Sequence, residues 1–204
     1  RDPGYPHKED WETGTAAAAF GGVTTVFDMP NTIPPTGDAK ILAEKHAIAK
    51  SRAYVDYGLY GLLGANTIAN VPELIEGGVI GFKLYMGNTF GAIPSPTTGE
   101  MLEAFEVVAP TGKRISLHAE TNSIMERRQQ KLTDFGRTDA LAHLAARPAV
   151  VAVEAVARAA ILAEWTGARI HILHISSAAE LAPLADARRR GVDVTGETCP
   201  QYLF

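Results

Sequence analysis

The sequence predicts an α/β fold built on a mostly parallel sheet, and two observations carry that prediction. Segments with strand character alternate with segments of helical spacing along the chain, as in βα units. Glycine stands at or just past the end of most helical segments, where a left-handed residue closes a helix. With 204 residues, 46% of them hydrophobic and 21% charged, the chain can bury a core without a disulfide or a structural metal.

Six short runs rich in β-branched and aromatic residues are the predicted strands. They cover residues 23–29, 55–63, 80–85, 115–118, 170–175 and 192–197. Segments of good helix formers lie before and between these strands. The predicted helices cover residues 8–20, 38–51, 71–76, 99–109, 149–165 and 178–190. The charged, weakly periodic stretch 121–148 is interpreted as a helical insertion after the strand at 115–118.

Two architectures fit this alternation, an open doubly wound sheet and a closed (β/α)8 barrel, and the residues at the ends of the predicted strands distinguish them. The first strand runs into MPNT at 29–32 rather than into a glycine-rich dinucleotide-binding turn. Barrel enzymes carry their chemistry at the carboxyl ends of their strands, and polar residues recur there. These residues are Asp28, Asn31, Lys83, His118, His174 and Glu197. Because a full barrel has eight units and about 250 residues, residues 1–204 are predicted to be one partial TIM-like barrel domain covering about strands 2–7.

The charge and hydropathy of the chain exclude some classes of partner. The formal net charge is −4 and the basic residues form only short clusters, so we expect no nucleic-acid partner. The longest apolar stretches are interrupted well before ~20 residues, so we expect no membrane span. Cys199 is the one cysteine and no signal peptide opens the sequence, which indicates a cytoplasmic protein. The chain begins at Arg1 without an initiator methionine and stops at Phe204 inside an apolar segment, as a fragment would.

Three residues at strand ends could carry chemistry. Burial of Lys83 in an apolar strand would favour its neutral amine, although an edge position with the stem reaching water also fits. His118 and His174 each stand where a strand becomes a loop, and imidazoles suit Zn²⁺ with one coordination position left open for water. Hydrogen-bonded structural histidines are the alternative. Because alternation turns residues three apart to opposite faces, we expect at most one of His171 and His174 to face a barrel interior.

A series of short segments, in order across essentially all 204 residues, carries a family resemblance. They are RDPG (1–4), HKED (7–10), GTAAA (14–18), GGVT (21–24), MPNTIPP (29–35), FKLYM (82–86), NTF (88–90), HAE (118–120) and HISS (174–177). In these segments the chain resembles dihydroorotase of the cyclic amidohydrolase superfamily. One segment departs, because ETCPQY at 197–202 is more similar to hydantoinases and allantoinases.

The resemblance implies a distorted (β/α)8 barrel of the metal-dependent hydrolase type, with two divalent metal ions, usually Zn²⁺. Lys83, His118 and His174 match three of the family's metal ligands, the lysine as a carbamate formed with CO₂ that bridges the two ions. The family's His-x-His pair would precede Arg1, and the aspartate that is both ligand and general base would follow Phe204. The ions would lower the pKa of a water and polarise the scissile carbonyl.

The resemblance also implies substrate contacts. Arg1 and Asn31 match the pair that holds the carboxylate of dihydroorotate, which suits an arginine fork. Thr89 and Phe90 resemble a mobile loop that closes over the substrate. Arg1 and Asn31 argue against allantoinase, where an asparagine commonly replaces this arginine.

Three functional hypotheses follow from the residues and the resemblance. The first is a dihydroorotase that interconverts dihydroorotate and N-carbamoyl-aspartate in pyrimidine biosynthesis. The second is an allantoinase or a hydantoinase/dihydropyrimidinase, and the third is a non-catalytic barrel subunit. We expect a small-molecule substrate and a homo-oligomer for the whole protein, and no activity from residues 1–204 alone.

Overall fold

The computed structural model describes residues 2–88 and 93–204. The chain divides into two compact units, Arg1–Lys83 and Leu84–Phe204, and each unit is built from parallel strands separated by helices. This arrangement confirms the predicted α/β class.

The first unit alternates three helices with its strands. Its elements are α1 (Trp11–Phe20), β1 (Thr25–Asp28), α2 (Ala39–Arg52), β2 (Asp56–Leu62) and α3 (Val71–Glu76), followed by β3 (Gly81–Tyr85), which runs through the boundary between the units. Strand β1 pairs with β2 and β2 with β3, both in parallel. Asp10 and Asp38 cap α1 and α2 by accepting hydrogen bonds from backbone N–H groups in the first turns, which explains where these helices begin.

In its described residues, the second unit has three further strands and five α-helices. Its elements are α4 (Thr98–Val108), β4 (Arg114–His118), α5 (Asn122–Asp134), α6 (Ala140–Ala146), α7 (Val150–Thr166), β5 (Arg169–Ile172), α8 (Leu181–Arg189) and β6 (Val194–Gly196). Strand β4 pairs with β5 and β5 with β6, again in parallel.

The predicted elements agree with the observed ones to within a few residues at each end. The prediction that glycines at helix ends are left-handed is confirmed at Gly112 and Gly167, whose φ angles are 70° and 73°. These left-handed conformations would strain any residue with a Cβ. The stretch 121–148 forms two helices, α5 and α6, as the predicted insertion. The main difference is β5, which ends at Ile172 and leaves His174 outside the strand.

Small side chains let α7 pack closely against its neighbours in the second unit. Its buried positions are Val151, Ala155, Val156, Ala159, Ala160 and Ala163. The stretch 140–166 has the length and hydropathy of a membrane-spanning helix. It consists, however, of two helices that meet at Arg147 and Pro148, and the buried alanines belong to a protein core. Neither α6 nor α7 alone covers the whole stretch.

The amino ends of the strands in the second unit carry a charge cluster. Arg114 opens β4, Arg169 opens β5, and Asp193 precedes β6. The Asp193 carboxylate accepts hydrogen bonds from Arg114 Nη2 and Arg169 Nε, each at 2.7 Å. These two hydrogen bonds, that from Arg114 first, lower the pKa of Asp193 below its ordinary value despite a small opposing effect of burial. The cluster therefore stabilises three consecutive strand starts.

We expect Asp193→Asn to lower the free energy of unfolding by about 1 kcal/mol at neutral pH, since the cluster is half exposed and screened by solvent. A carboxyl with a lowered folded pKa stabilises above its ordinary value of 3.8, and this contribution disappears as the pH falls through the folded pKa. Urea unfolding at several pH values measures the difference. Asp134→Asn, where the carboxylate bonds only the neutral Gln130, is the matched control. If the difference in the free energy of unfolding between Asp193→Asn and wild type is the same in acid as at neutral pH, the ionised carboxylate of Asp193 does not stabilise the fold.

Candidate metal centre

The structure brings together two of the sequence-predicted ligands, His118 and His174. Nδ1 of His118 lies 3.0 Å from Nε2 of His174, and the ring centroids are 4.7 Å apart. His118 is the last residue of β4, and His174 lies two residues beyond the end of β5. Both rings are therefore at the carboxyl ends of neighbouring parallel strands.

The backbone at His174 explains how the two rings meet. Leu117 of β4 is paired with Ile172 of β5, and Leu173 donates a backbone hydrogen bond to Leu117 at 3.1 Å. In a regular continuation of this register, His174 would point to the opposite face from His118. His174 instead has a φ angle of 42°, a left-handed conformation that is uncommon for a residue with a Cβ. The alternation argument for His171 and His174 therefore does not extend beyond Ile172.

Glu120 fixes the proton on the His118 ring. Its Oε2 lies 2.8 Å from Nε2 of His118, and an ionised carboxylate can only accept a hydrogen bond. The ring nitrogen Nε2 therefore carries a proton, and in the neutral form of the ring Nδ1 presents a lone pair towards His174. Burial works against the charged form of Glu120, but the hydrogen bond from His118 and the nearby positive charges outweigh it and lower the pKa of this carboxyl.

The histidine pair fits two ligands of one metal ion. Two Zn–N bonds of about 2.0 Å at a tetrahedral angle place their nitrogens roughly 3.3 Å apart, close to the 3.0 Å observed. The contact from Glu120 to the far nitrogen of His118 is the second contact that metal-bound histidines usually make. Within residues 2–88 and 93–204, no group of three or more His, Cys, Asp or Glu side chains is arranged to hold a metal. Further ligands would have to be of another kind or come from elsewhere.

A cavity of about 370 Å³ opens beside the two rings within the second unit. Its lining includes His118, Glu120, Arg147, His174 and Glu180. Glu180 is buried and accepts backbone hydrogen bonds at its Oε1 from the N–H groups of residues 176 and 177, which holds the loop after His174. Burial raises the pKa of Glu180 more than these hydrogen bonds lower it. The cavity is large enough for a small cyclic substrate.

Lys83 is the last residue of the first unit and is 2% exposed, in a strand whose five residues are all buried. Its carbonyl accepts a hydrogen bond from Leu63 at 2.8 Å. The edge position considered for Lys83 is therefore wrong, because the side chain is enclosed by protein. Three residues further on, Met86 donates a backbone hydrogen bond to the carbonyl of His118 at 3.0 Å within the second unit.

A second buried lysine, Lys45, was not predicted from the sequence. It lies on α2 with a fully buried side chain, and its Nζ is 2.6 Å from the carboxylate of Asp28 at the end of β1. The same ammonium donates to the carbonyl of Met29 at 2.7 Å and lies 3.4 Å from the Thr36 hydroxyl. Burial lowers the pKa of Lys45 more than Asp28 raises it. Lys45 thereby joins both ends of the loop that carries the half-buried Asn31.

Three other predicted site residues, Arg1, Thr89 and Phe90, lie outside the described residues. The general-base aspartate expected from the family resemblance would follow Phe204 and is not part of this chain. Glu120 and Arg147 are the site residues that sequence reasoning missed. The position of Glu120 two residues after His118 was the available signal, whereas Arg147 is distant in sequence and gave none.

The two histidines lie at the carboxyl ends of parallel strands, which is where α/β barrel enzymes carry their active sites. No protein-family model matches the chain. It is similar to the allantoinase of Rubrobacter xylanophilus, with 39% identity over 100% of this chain and 45% of that protein. It is also similar to the allantoinase of Enterococcus faecalis (37% identity, 100% and 47%) and to the D-hydantoinase of Geobacillus stearothermophilus (32%, 96% and 42%).

Among solved structures, the chain is similar to the L-hydantoinase (dihydropyrimidinase) from Arthrobacter aurescens. The TM-score is 0.91 at 33% identity, over 95% of this chain and 43% of that chain. Almost the whole of this chain is therefore similar to part of allantoinases and of hydantoinases. The chain spans about 45% of the curated relatives it matches. These relatives support the allantoinase or hydantoinase alternative better than dihydroorotase.

In the full-length protein, we expect Glu120→Gln to weaken zinc binding about 10- to 100-fold, as second-contact substitutions at metal-bound histidines do. A neutral amide holds the Nε2–H of His118 less firmly and can turn its NH₂ group towards the ring. Competition with a chromogenic chelator measures the affinity. Glu103→Gln, the same change at an exposed position on α4, is the control and should bind zinc as wild type does. Equal zinc affinity in Glu120→Gln and wild type would refute the role of Glu120.

Proposed function

We propose that the protein containing this chain hydrolyses a ring C–N bond of a small cyclic amide, with allantoin as its substrate. The observation that carries the proposal is the His118–His174 pair with its Glu120 contact, in a chain 39% and 37% identical to two allantoinases. In the reaction, water adds across the amide bond, so that the carbonyl carbon gains OH and the ring nitrogen gains H.

We propose that His118 and His174 hold a divalent ion through Nδ1 and Nε2, the two atoms that face each other. The ion, Zn²⁺ in our proposal, would lower the pKa of a water molecule and polarise the substrate carbonyl. Glu120 keeps the Nδ1 lone pair of His118 available by retaining the proton on Nε2. Glu180 holds the loop after His174 through its backbone contacts, which keeps that ring in position.

We propose that Lys83 is a third metal ligand. Its amine would combine with CO₂ to form a carbamate, which would be shared between two ions. Its burial supports this role, because a neutral amine is the reactive form and an apolar strand disfavours the ammonium. The presence of Lys83, His118 and His174 together counts against a non-catalytic subunit. The family resemblance implies that a second metal ion, a general-base aspartate and a His-x-His pair would complete this site in the whole protein.

A hydantoinase or dihydropyrimidinase activity is the second candidate. The structural similarity to the Arthrobacter aurescens L-hydantoinase, with a TM-score of 0.91, favours it. The segment 197–202 also resembles hydantoinases as well as allantoinases. We retain a small-molecule substrate, a homo-oligomer without nucleic-acid or membrane partners, and a cytoplasmic location as expectations for the whole protein.

We expect Lys83→Ala in the full-length protein to abolish hydrolysis and to lower the zinc content, because alanine cannot form the carbamate. Short carboxylic acids added to this variant should restore part of the activity by replacing the carbamate oxygens. Lys40→Ala, at an exposed position on α2, is the control for losing a lysine. Full activity and zinc content in Lys83→Ala would show that the bridging role is wrong.

The substrate is tested by comparing kcat/KM for allantoin, hydantoin and dihydroorotate in the full-length protein. We expect the highest value with allantoin. A preference for hydantoin would favour the second candidate, and a preference for dihydroorotate would overturn both.

The variant Arg1→Ala adds a second measure of substrate choice. If Arg1 clasps a substrate carboxylate, the variant should lose about 2–5 kcal/mol of transition-state binding with dihydroorotate alone, since a buried carboxylate would lose its partner. An equal change with all three substrates would assign Arg1 a role other than carboxylate recognition.

A further inference from the structure

Arg147 is a cation that the proposed mechanism does not use. It stands at the carboxyl end of α6, immediately before Pro148, and its side chain is 29% exposed. Its Nε lies 3.7 Å from Oε1 of Glu120, the oxygen that His118 does not use. Its Nη1 lies 2.9 Å from Nδ1 of His143, one turn earlier on α6.

The two oxygens of Glu120 therefore face different partners. Oε2 accepts a hydrogen bond from Nε2 of His118 at 2.8 Å, and Oε1 faces the guanidinium of Arg147. The 3.7 Å contact is an ion pair rather than a hydrogen bond, and its attraction favours the orientation of Glu120 in which Oε2 faces His118 and Oε1 faces Arg147. Arg147 also lines the same cavity as the two histidines.

We infer that Arg147 is a positioning residue for the metal centre, acting through Glu120 on the ring of His118. Arg147 holds Glu120, Glu120 retains the proton on Nε2, and the lone pair of Nδ1 stays directed towards His174. The insertion formed by α5 and α6 thereby contributes to the site, although none of its residues is a proposed ligand. The inference rests on the proposed function, because it assumes that the histidine pair binds metal.

The alternative is that Arg147 has a purely structural role, as the residue that caps the carboxyl end of α6. Its backbone N–H donates to the carbonyl of Leu144 at 2.9 Å without the guanidinium, and Nη1 also lies 3.5 Å from the carbonyl of His143. The exposed contact with His143 uses Nη1, whereas the nitrogen that faces Glu120 is Nε, and His143 lines the same cavity. A purely structural role predicts a change in stability and no change in metal affinity that depends on Glu120.

The experiment measures zinc affinity in the full-length, metal-free protein by competition with a chromogenic chelator. We expect Arg147→Gln to weaken zinc binding about fivefold, as the loss of a partly exposed ion pair does. Arg147→Lys keeps the charge and should restore part of the affinity. Arg137→Gln is the matched control, because Arg137 belongs to the same insertion and pairs with Asp139 away from the cavity.

A double-mutant cycle separates positioning from a general structural effect. In a Glu120→Gln background, Arg147→Gln should cause no further loss of zinc affinity. An equal loss in both backgrounds, an affinity in Arg147→Gln that matches wild type, or the same loss in Arg137→Gln would overturn the inference. Wild-type protein that binds no zinc would overturn the inference and the metal site together. Wild-type protein that binds zinc and hydrolyses no cyclic amide would overturn the proposed function alone.

Discussion

The left-handed backbone at His174 is the constraint on which the candidate metal centre depends. Parallel pairing of β4 with β5 brings the ends of the two strands side by side, but alternation alone would turn the two imidazoles to opposite faces. The φ angle of 42° breaks the alternation and allows Nε2 of His174 to approach Nδ1 of His118. A conformation of this kind persists only where its surroundings hold it. The buried Glu180 supplies such a restraint through its hydrogen bonds to the loop that follows.

Much of the fold could be predicted from the sequence because its signals are local. Strand composition, helical spacing and glycines such as Gly112 and Gly167 act within a few residues, and the structure places each predicted strand and helix near its expected bounds. The end of β5 could not be predicted in the same way. Leu173 and Ile175 continue the apolar pattern of the strand, but β5 ends at Ile172 and His174 adopts a left-handed conformation that the sequence pattern does not signal.

The candidate site was predicted only in part, since its contacts join residues far apart in sequence. His118 and His174 were found because each stands near the end of a predicted strand, and Lys83 because it interrupts an apolar one. Lys45 lies among charged residues on a helix, and only the structure shows that its ammonium is buried against Asp28 and the carbonyl of Met29. A buried ammonium without such partners would be strongly destabilising, so this ion pair is a condition for the fold of the loop after β1.

The division between strands and loops also explains why the reaction class was easier to predict than the substrate. His118 and Lys83 lie on strands, whose residue types and spacing are visible in the sequence. Asn31 lies on a loop whose two ends are joined by Lys45, so the position of its amide depends on a helix that follows later in the chain. A loop can change its contacts with substrate while the strand ends remain as they are. The strand ends therefore indicate a class of reaction, whereas a substrate contact through Asn31 would depend on a loop whose position the local sequence does not fix.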